Sequence, residues 1–240
     1  MTLSATTLEQ PPKFAASAGG TEPIPSSRYG LSPSVVTLVD PNGVQAEAIR
    51  AVRTHVMAQH INRGRRALTV CAPNRGVGCT FVATNLAVAL SRIGVKVLLI
   101  DGDLRNPSIN LLIRTAQPQN GGLAGCLRSP STAFTDHIDA DVMPGLSIMY
   151  AGGGAGDPQE LLASDRFKAL LDFCLREFDV TIVDTPPSNV SSDARQVTSV
   201  VGYGLIVAGR DKTFIDDVKT LASQLEGVHA KIVGTVLNKA

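Results

Sequence analysis

Short apolar stretches alternate along this chain with segments of helical spacing, and this alternation restricts the possible folds more than any other feature. Apolar runs suited to buried strands occupy residues 67–72, 96–101, 145–151, 180–185, 203–209 and 231–238. Helical spacing lies between them, at Thr80 to about Arg92, 158–178 and Phe214 to Leu225. Apolar strands separated by helices are typical of parallel βαβ crossovers. The sequence therefore predicts an α/β fold, a mostly parallel sheet sandwiched by helices.

Composition limits the compartment and the partners. The 240 residues are 44% hydrophobic, which is enough for one sizeable core, and the net charge of +1 gives no electrostatic case for nucleic acid. The four cysteines show no CxxC pairing and no metal spacing, which favours a reducing compartment. No apolar run approaches the roughly 20 residues that span a bilayer, and the N-terminus lacks a signal-peptide pattern. We therefore expect a cytoplasmic protein.

The first 34 residues differ from the rest. They are rich in Ser, Thr, Ala, Pro and Gly, and such a segment buries too little apolar surface to offset the entropy of ordering it. We expect a disordered tail over residues 1–34 and one folded domain over 35–240.

The segment APNRGVGCTFVATNLA, residues 72–87, has the glycine spacing of a phosphate-binding loop between a strand and a helix. Backbone N–H groups in such a loop point inward, and the helix N-terminus adds partial positive charge. The Thr80 hydroxyl would be a ligand of Mg²⁺. The candidate nucleotide-binding residues of this loop are Arg75, Gly76, Val77, Gly78, Cys79, Thr80 and Phe81. An ordinary glycine-containing turn that caps a helix is the alternative.

Two acidic residues follow the strand at 96–101. Asp101 and Asp103 are two residues apart, a spacing that predicts carboxylates leaving one side of a strand. Neighbouring carboxylates repel unless a cation neutralises them, and Arg105 is a local counter-charge. A hydrated Mg²⁺ uses such oxygens. A polar strand end at the surface is the alternative.

A third acidic residue, Asp184, ends the strand at 180–185, directly before a Thr-Pro-Pro turn. It is expected to act at Mg²⁺ or to orient the attacking group, although a turn-forming Asp before prolines has the same pattern. Three strand ends at one edge of a parallel sheet favour a nucleotide site, since ligands bind there. Asp101, Asp103 and Asp184 are the candidate catalytic residues, and Thr80, Asp101 and Asp184 are the candidate Mg²⁺ ligands.

These motifs resemble those of the bacterial tyrosine kinases of capsule and exopolysaccharide biosynthesis, P-loop proteins related to cell-division and plasmid-partition ATPases. The resemblance rests on VLLIDGDLR (97–105), a strand followed by DxDxR, and on IVDTPP (182–187), and it covers about Ala46 to the C-terminus. It implies ATP or ADP with Mg²⁺ as ligands. It also implies that Asn238 contacts adenine, although a strand-ending Asn is an equal alternative.

The helical segment QAEAIRAVRTHVMA (45–58) carries Glu47, Arg50 and Arg53 in E-x-x-R-x-x-R spacing. Residues three apart share a helix face, and Ile49 belongs to the opposite, buried face. In the family that the chain resembles, this motif builds subunit contacts in a ring, so we expect a homo-oligomer. A solvated stripe with an intrahelical Glu47–Arg50 pair is the alternative.

Two departures from the family pattern bear on activity. Cys79 stands where a lysine contacts the β- and γ-phosphates, and a charge-assisted contact of this kind contributes about 1.5–3 kcal/mol. The tyrosine-rich C-terminal tail of the family has no counterpart, because the tyrosines are Tyr29, Tyr150 and Tyr203. Tyr29, in the expected tail, is a candidate acceptor. Kinase activity is therefore expected to be weak or lost.

The resemblance then implies a regulatory subunit of exopolysaccharide polymerisation and export, as in capsule or holdfast synthesis. Its expected partner is a membrane polysaccharide co-polymerase, a chain-length determinant whose cytoplasmic tail recruits the subunit to the inner membrane. Three alternatives remain open. They are an active tyrosine kinase in which Arg75 or a partner's basic residue replaces the lysine, an ATPase that positions itself on the membrane, and a redox sensor in which a helix N-terminus lowers the pKa of Cys79.

Overall fold

The computed structural model describes residues 29–115, 121–153 and 156–239. The strands are β1 (Tyr29–Leu31), β2 (Ala67–Cys71), β3 (Val97–Asp101), β4 (Ile113–Thr115), β5 (Asp139–Met143), β6 (Leu146–Met149), β7 (Val180–Asp184), β8 (Tyr203–Gly209) and β9 (Lys231–Asn238). Seven of them form one sheet in the order β5-β6-β3-β7-β2-β8-β9, and β1 pairs with β4 in a separate sheet. The seven-stranded sheet is parallel except for β5, which runs antiparallel to β6. The predicted mostly parallel sheet is confirmed.

Helices cover both faces of this sheet. They are α1 (Val36–Val39), α2 (Val44–Gln59), α3 (Cys79–Ser91), α4 (Ile109–Leu112), α5 (Gly122–Arg128), α6 (Pro158–Ala163), α7 (Asp165–Glu177), α8 (Asp193–Val201) and α9 (Ile215–Glu226). Short 3-10 turns occupy Ile61–Arg63 and Phe134–His137. None of the helices in the described ranges combines the length and the apolar character that a membrane crossing needs.

The central strands are buried on both faces because their side chains alternate between two cores. In β3, Leu99 enters the core that contains Leu86 of α3. Leu98 and Ile100 enter the opposite core, which contains Phe167 of α7. This arrangement explains why the central strands read as continuous apolar runs.

The prediction of one continuous helix over 158–178 is wrong, because the segment forms two helices that are separated by Ser164. This residue is extended, with ψ of 154°, and its hydroxyl accepts a hydrogen bond from the backbone N–H of Phe167. Serine is a favoured residue at this position because it satisfies one of the N–H groups that begin a helix. Ser164 therefore ends the α6 segment and starts α7.

Ordered structure begins earlier than the predicted boundary between residues 34 and 35. Tyr29–Leu31 pair with Ile113–Thr115 in an antiparallel ladder, and Val35 is completely buried. Tyr29 therefore belongs to a strand that packs against the core, not to a tail. The remainder of the predicted tail, residues 1–28, lies outside the described residues.

Candidate functional site

The loop between β2 and α3 borders a cavity of about 240 Å³. Two glycines shape it, since Gly76 has φ of +70° and Gly78 has φ of +86°, values that residues with a side chain rarely adopt. The lining residues are Asn74, Arg75, Gly76, Val77, Gly78, Cys79, Thr80, Phe81, Asp103, Asn106, Ser108, Thr185 and Pro187. All the loop residues chosen from the sequence, Arg75 to Phe81, therefore line one cavity at the N-terminus of α3.

Asn238, at the end of β9, lies against the same loop. Its Nδ2 donates a hydrogen bond of 2.9 Å to the Val77 carbonyl. A Cβ on Gly78 would come within 2.2 Å of that nitrogen, so only glycine allows this approach. Asn238 thus holds the loop in place, and its expected contact with adenine stays a prediction.

Asp101 and Asp184 meet at the carboxyl ends of adjacent strands. They are register partners in the β3–β7 ladder, and both are buried. Burial raises the pKa of Asp184 to about 8, and the neighbouring charge of Asp101 adds to this effect. Burial likewise raises the pKa of Asp101 to about 6. The convergence of these acidic side chains beside the glycine loop, as expected from the sequence, is therefore present.

Hydroxyl groups connect this acidic pair to the loop. Thr80 Oγ1 donates a hydrogen bond of 2.6 Å to Asp184 Oδ2 and lies 2.9 Å from Ser108 Oγ. Among the described residues, Asp184 Oδ1 is buried without a hydrogen-bond partner. A buried carboxylate oxygen in this state is costly, and a cation at this point would satisfy it.

Asp103 lies beyond the end of β3, which closes at Asp101, so the alternation of side chains along a strand does not place its carboxylate. Asp101 accepts hydrogen bonds from the backbone N–H groups of Asp103, Ser108 and Ile109 at 3.1–3.2 Å. Asp103 Oδ1 accepts hydrogen bonds from the backbone N–H groups of Asn106 and Arg105, at 2.8 and 3.1 Å. Both carboxylates therefore shape the loop after β3, and Asp103 also lines the cavity.

Arg105 pairs with a residue other than the predicted one. Its Nε and Nη2 donate to the two carboxylate oxygens of Asp193 at 2.7 and 3.2 Å, and Asp193 is completely buried in the first turn of α8. The hydrogen bonds that its guanidinium donates to Asp193 raise the pKa of Arg105. The sequence pattern did not indicate this partner, although a buried acid in a first helical turn favours a nearby cation.

Cys79 begins α3 at the position of the expected lysine. Its Sγ donates a hydrogen bond of 3.3 Å to the Val70 carbonyl. Burial raises its pKa well above the ordinary value, and the charge of Asp184 raises it further. This direction is opposite to the lowered pKa on which the redox-sensing alternative depends.

Two cationic side chains lie at the loop. Arg75 is exposed and lines the cavity. Lys212, from the turn between β8 and α9, donates a hydrogen bond of 3.2 Å from Nζ to the Gly76 carbonyl. The sequence pattern alone could not place Lys212 here.

The residues of the expected subunit interface lie on α2 and are not among the lining residues of the cavity. Arg50 Nε donates to Glu47 Oε2 at 2.8 Å, and Arg50 Nη1 donates to the Pro41 carbonyl at 2.5 Å. Arg53 Nη1 donates to the Ala89 carbonyl at 3.4 Å. The intrahelical pair is present, and the role of Glu47, Arg50 and Arg53 in assembly stays a prediction.

The donors at the site suit Mg²⁺ only together with a phosphate ligand. Within the described ranges, no group of three or more His, Cys, Asp or Glu side chains is arranged to hold a metal ion. Mg²⁺ at nucleotide sites commonly takes one or two carboxylates, while phosphates and water supply the other oxygens. The Thr80 hydroxyl and the Asp184 carboxyl group, whose Oδ1 has no hydrogen-bond partner among the described residues, could supply the protein oxygens of such a site.

Comparison with known proteins agrees with this geometry. Residues 68–240 match the family model described as the CobQ/CobB/MinD/ParA nucleotide binding domain. The chain belongs to this nucleotide-binding family. The matched region begins in β2 and contains the loop, all three aspartates and Asn238.

Several relatives of this family member are named as tyrosine kinases. It is 28% identical over 199 residues to the putative tyrosine-protein kinase CapB of Staphylococcus aureus, covering 83% of this chain and 86% of CapB. It is 29% identical over 205 residues to the tyrosine-protein kinase ptk of Acinetobacter johnsonii, covering 85% of this chain and 27% of ptk. The kinase domain of the Escherichia coli tyrosine kinase ETK superposes with a TM-score of 0.79 at 30% identity, covering 86% of this chain and 80% of that domain. The resemblance to bacterial tyrosine kinases is thus confirmed.

Proposed function

We propose that this chain is a nucleotide-binding regulatory subunit of exopolysaccharide polymerisation and export in which phosphoryl transfer is weak or lost. The observation that carries the proposal is Cys79. It occupies the first position of α3 and lines the cavity that the glycine loop borders, where its side chain has no ammonium group to offer a phosphate. The family match and the relatives named as tyrosine kinases support nucleotide binding.

The loop and the strand ends would bind different parts of a nucleotide. N–H groups from Arg75 to Thr80 would bind the phosphates, and Asn238 would face the base. Thr80 and Asp184 would hold Mg²⁺, with Asp101 beside them. Bound Mg²⁺ would neutralise phosphate charge.

The lack of an ammonium group at position 79 explains why phosphoryl transfer would be impaired more than nucleotide binding. Backbone N–H groups contact phosphates in the ground state without any side chain. A lysine adds charge where the transition state develops it, and Cys79 cannot. The chain would then respond to nucleotide without transferring its phosphate efficiently.

A single substitution tests this proposal. Cys79→Lys should tighten binding of ADP with Mg²⁺ about tenfold, the value of one charge-assisted contact, and should raise autophosphorylation. Ser199→Lys is the control, because it adds the same charge on the exposed surface of α8. Calorimetry and a phosphotyrosine assay provide the readouts. Brisk autophosphorylation by the wild type would instead support the active-kinase alternative.

The partner in this proposal is a membrane polysaccharide co-polymerase, with self-association through α2. Arg50 and Arg53 would exchange their present contacts for acidic groups of a second subunit. The double charge reversal Arg50→Glu, Arg53→Glu should then reduce the mass seen in sedimentation, whereas Arg195→Glu, on an exposed position of α8, should not. In cells, recruitment to the inner membrane should require the co-polymerase. A wild type that sediments as a monomer at all concentrations would contradict the assembly proposal.

A further inference from the structure

The turn between β8 and α9 and the first turn of α9 each make a hydrogen bond to the glycine loop. Lys212 Nζ donates to the Gly76 carbonyl at 3.2 Å. In the first turn of α9, Asp217 Oδ2 accepts a hydrogen bond of 3.3 Å from Asn74 Nδ2. The two contacts reach opposite ends of the loop segment 74–76.

Backbone packing brings the turn close to the loop. A Cβ on Gly209, at the end of β8, would lie 2.9 Å from Val77 Cγ1 and 3.3 Å from Lys212 Cβ. The Gly209 N–H donates to Thr213 Oγ1 at 3.0 Å, and the Lys212 N–H donates to the Gly209 carbonyl at 3.2 Å. Glycine at 209 therefore permits an approach that positions Lys212 over the loop.

Carboxyl groups cluster beside the loop, so a cationic side chain would be favourable there. Asp101 and Asp184 are register partners at the carboxyl ends of β3 and β7, and Asp103 lines the cavity beside them. A bound nucleotide would add phosphate charge beside them. Cys79, at the position of the expected lysine, has no ammonium group that could compensate for this charge.

We infer that Lys212 supplies, from outside the loop, a cationic contact to the phosphates of a bound nucleotide that Cys79 cannot make. This inference rests on the proposed nucleotide binding. An ammonium group has three N–H donors, so the contact with Gly76 leaves capacity for phosphate oxygens. Both side chains are exposed, and Arg75 lines the cavity. Lys212 is favoured because its ammonium group is held against the loop by the hydrogen bond to the Gly76 carbonyl.

Affinity for ADP with Mg²⁺, measured by calorimetry, tests the inference. Lys212→Met should weaken binding about tenfold, and Lys212→Gln, which keeps an N–H donor without the charge, should weaken it nearly as much. Lys219→Met is the control, because Lys219 lies on α9 and pairs with Asp216. Arg75→Met should have a smaller effect than Lys212→Met. Raising the salt concentration should weaken binding by the wild type more than binding by Lys212→Met, since salt screens charge contacts.

A double substitution separates this role from a structural one. In the Cys79→Lys background, the loop has its own cation, so Lys212→Met should change the affinity less than about threefold, a departure from additivity typical of groups that share one partner. Equal effects of Lys212→Met in both backgrounds, or an effect no larger than that of Lys219→Met, would overturn the inference while leaving nucleotide binding intact. If neither the wild type nor Cys79→Lys binds nucleotide, the proposed function fails and this inference fails with it.

Discussion

The hydroxyl of Thr80 donates a hydrogen bond of 2.6 Å to Asp184 Oδ2 and so joins the first turn of α3 to the carboxyl end of β7. The bond lowers the pKa of Asp184 against the stronger effect of burial, which raises it. Since Asp184 is completely buried, Thr80 is a principal source of stabilisation for its charged form. The same hydroxyl is the candidate ligand of Mg²⁺, so structural and ligand-binding roles meet at one atom.

Thr80→Val should destabilise the nucleotide-free protein because it removes this donor and leaves Asp184 without its hydroxyl partner. An unsatisfied buried polar group costs about 1–3 kcal/mol. Thr80→Ser keeps the hydroxyl and should cost much less. Urea denaturation at neutral pH measures both free energies of unfolding, and equal losses for the two variants would show that the hydrogen bond contributes little.

The stability of the metal-free protein should depend on pH through Asp184. Its pKa of about 8 in the folded state exceeds the ordinary 3.8, so the folded state holds more protons than the unfolded state between these values. The free energy of unfolding contributed by this group therefore falls as pH rises through that window. Asp101, with a pKa of about 6, adds a similar effect at lower pH.

Asp184→Asn removes the larger of these two titrations while keeping an oxygen that can accept from Thr80. Relative to the wild type, the variant should gain stability as pH rises from about 5 to about 8. Chemical denaturation with a chelator present gives the difference at each pH. Asp172→Asn, an exposed position on α7, is the matched control. A difference between Asp184→Asn and the wild type that stays constant with pH would contradict the assignment.

Gly78→Ala should be more damaging than Gly76→Ala. Both residues have positive φ, so both substitutions incur backbone strain of about 1–2 kcal/mol. At Gly78 the new Cβ would also lie 2.2 Å from Asn238 Nδ2, whereas at Gly76 it meets nothing within 4 Å. Adding Asn238→Ala should recover part of the extra loss in Gly78→Ala. Urea denaturation of the four proteins checks the order, and no recovery would exclude the Asn238 contact as its cause.

Much of the fold could be predicted because its strongest signals are local. The ranges 203–209 and 231–238 match β8 and β9, since buried parallel strands are apolar along their length. The edge strand β5, with sequence DADVM, was missed because it mixes exposed and buried residues. The division at Ser164 was missed because helical spacing continues on both sides of it.

In the candidate site, too, local motifs could be predicted and long-range contacts could not. The glycine loop and the acidic strand ends could be predicted because each is a short motif, and parallel topology brings the ends of β2, β3 and β7 to one edge. Contacts between distant segments could not be predicted. Arg105 and Asp193 are 88 residues apart, and Gly76 and Lys212 are 136 apart. Such pairs depend on how helices pack on the sheet, which spacing along the chain does not specify.

Arg105→Met should destabilise the protein strongly because it leaves the buried carboxylate of Asp193 without its cation. Breaking a fully buried pair costs about 3–5 kcal/mol. The Arg105 side chain is 36% exposed, and the N-terminus of α8 partly compensates the charge, so we expect about 2–4 kcal/mol by urea denaturation.

Adding Asp193→Asn to Arg105→Met should restore part of this loss, because the uncompensated charge is removed. Lys168→Met, which breaks an exposed pair with Asp165 on α7, should cause no measurable change, since exposed pairs contribute little. A double variant as unstable as Arg105→Met alone would mean that Arg105 stabilises the β3–α4 loop through packing of its side chain. In that case the ion pair with Asp193 would not be the main contribution of Arg105 to stability.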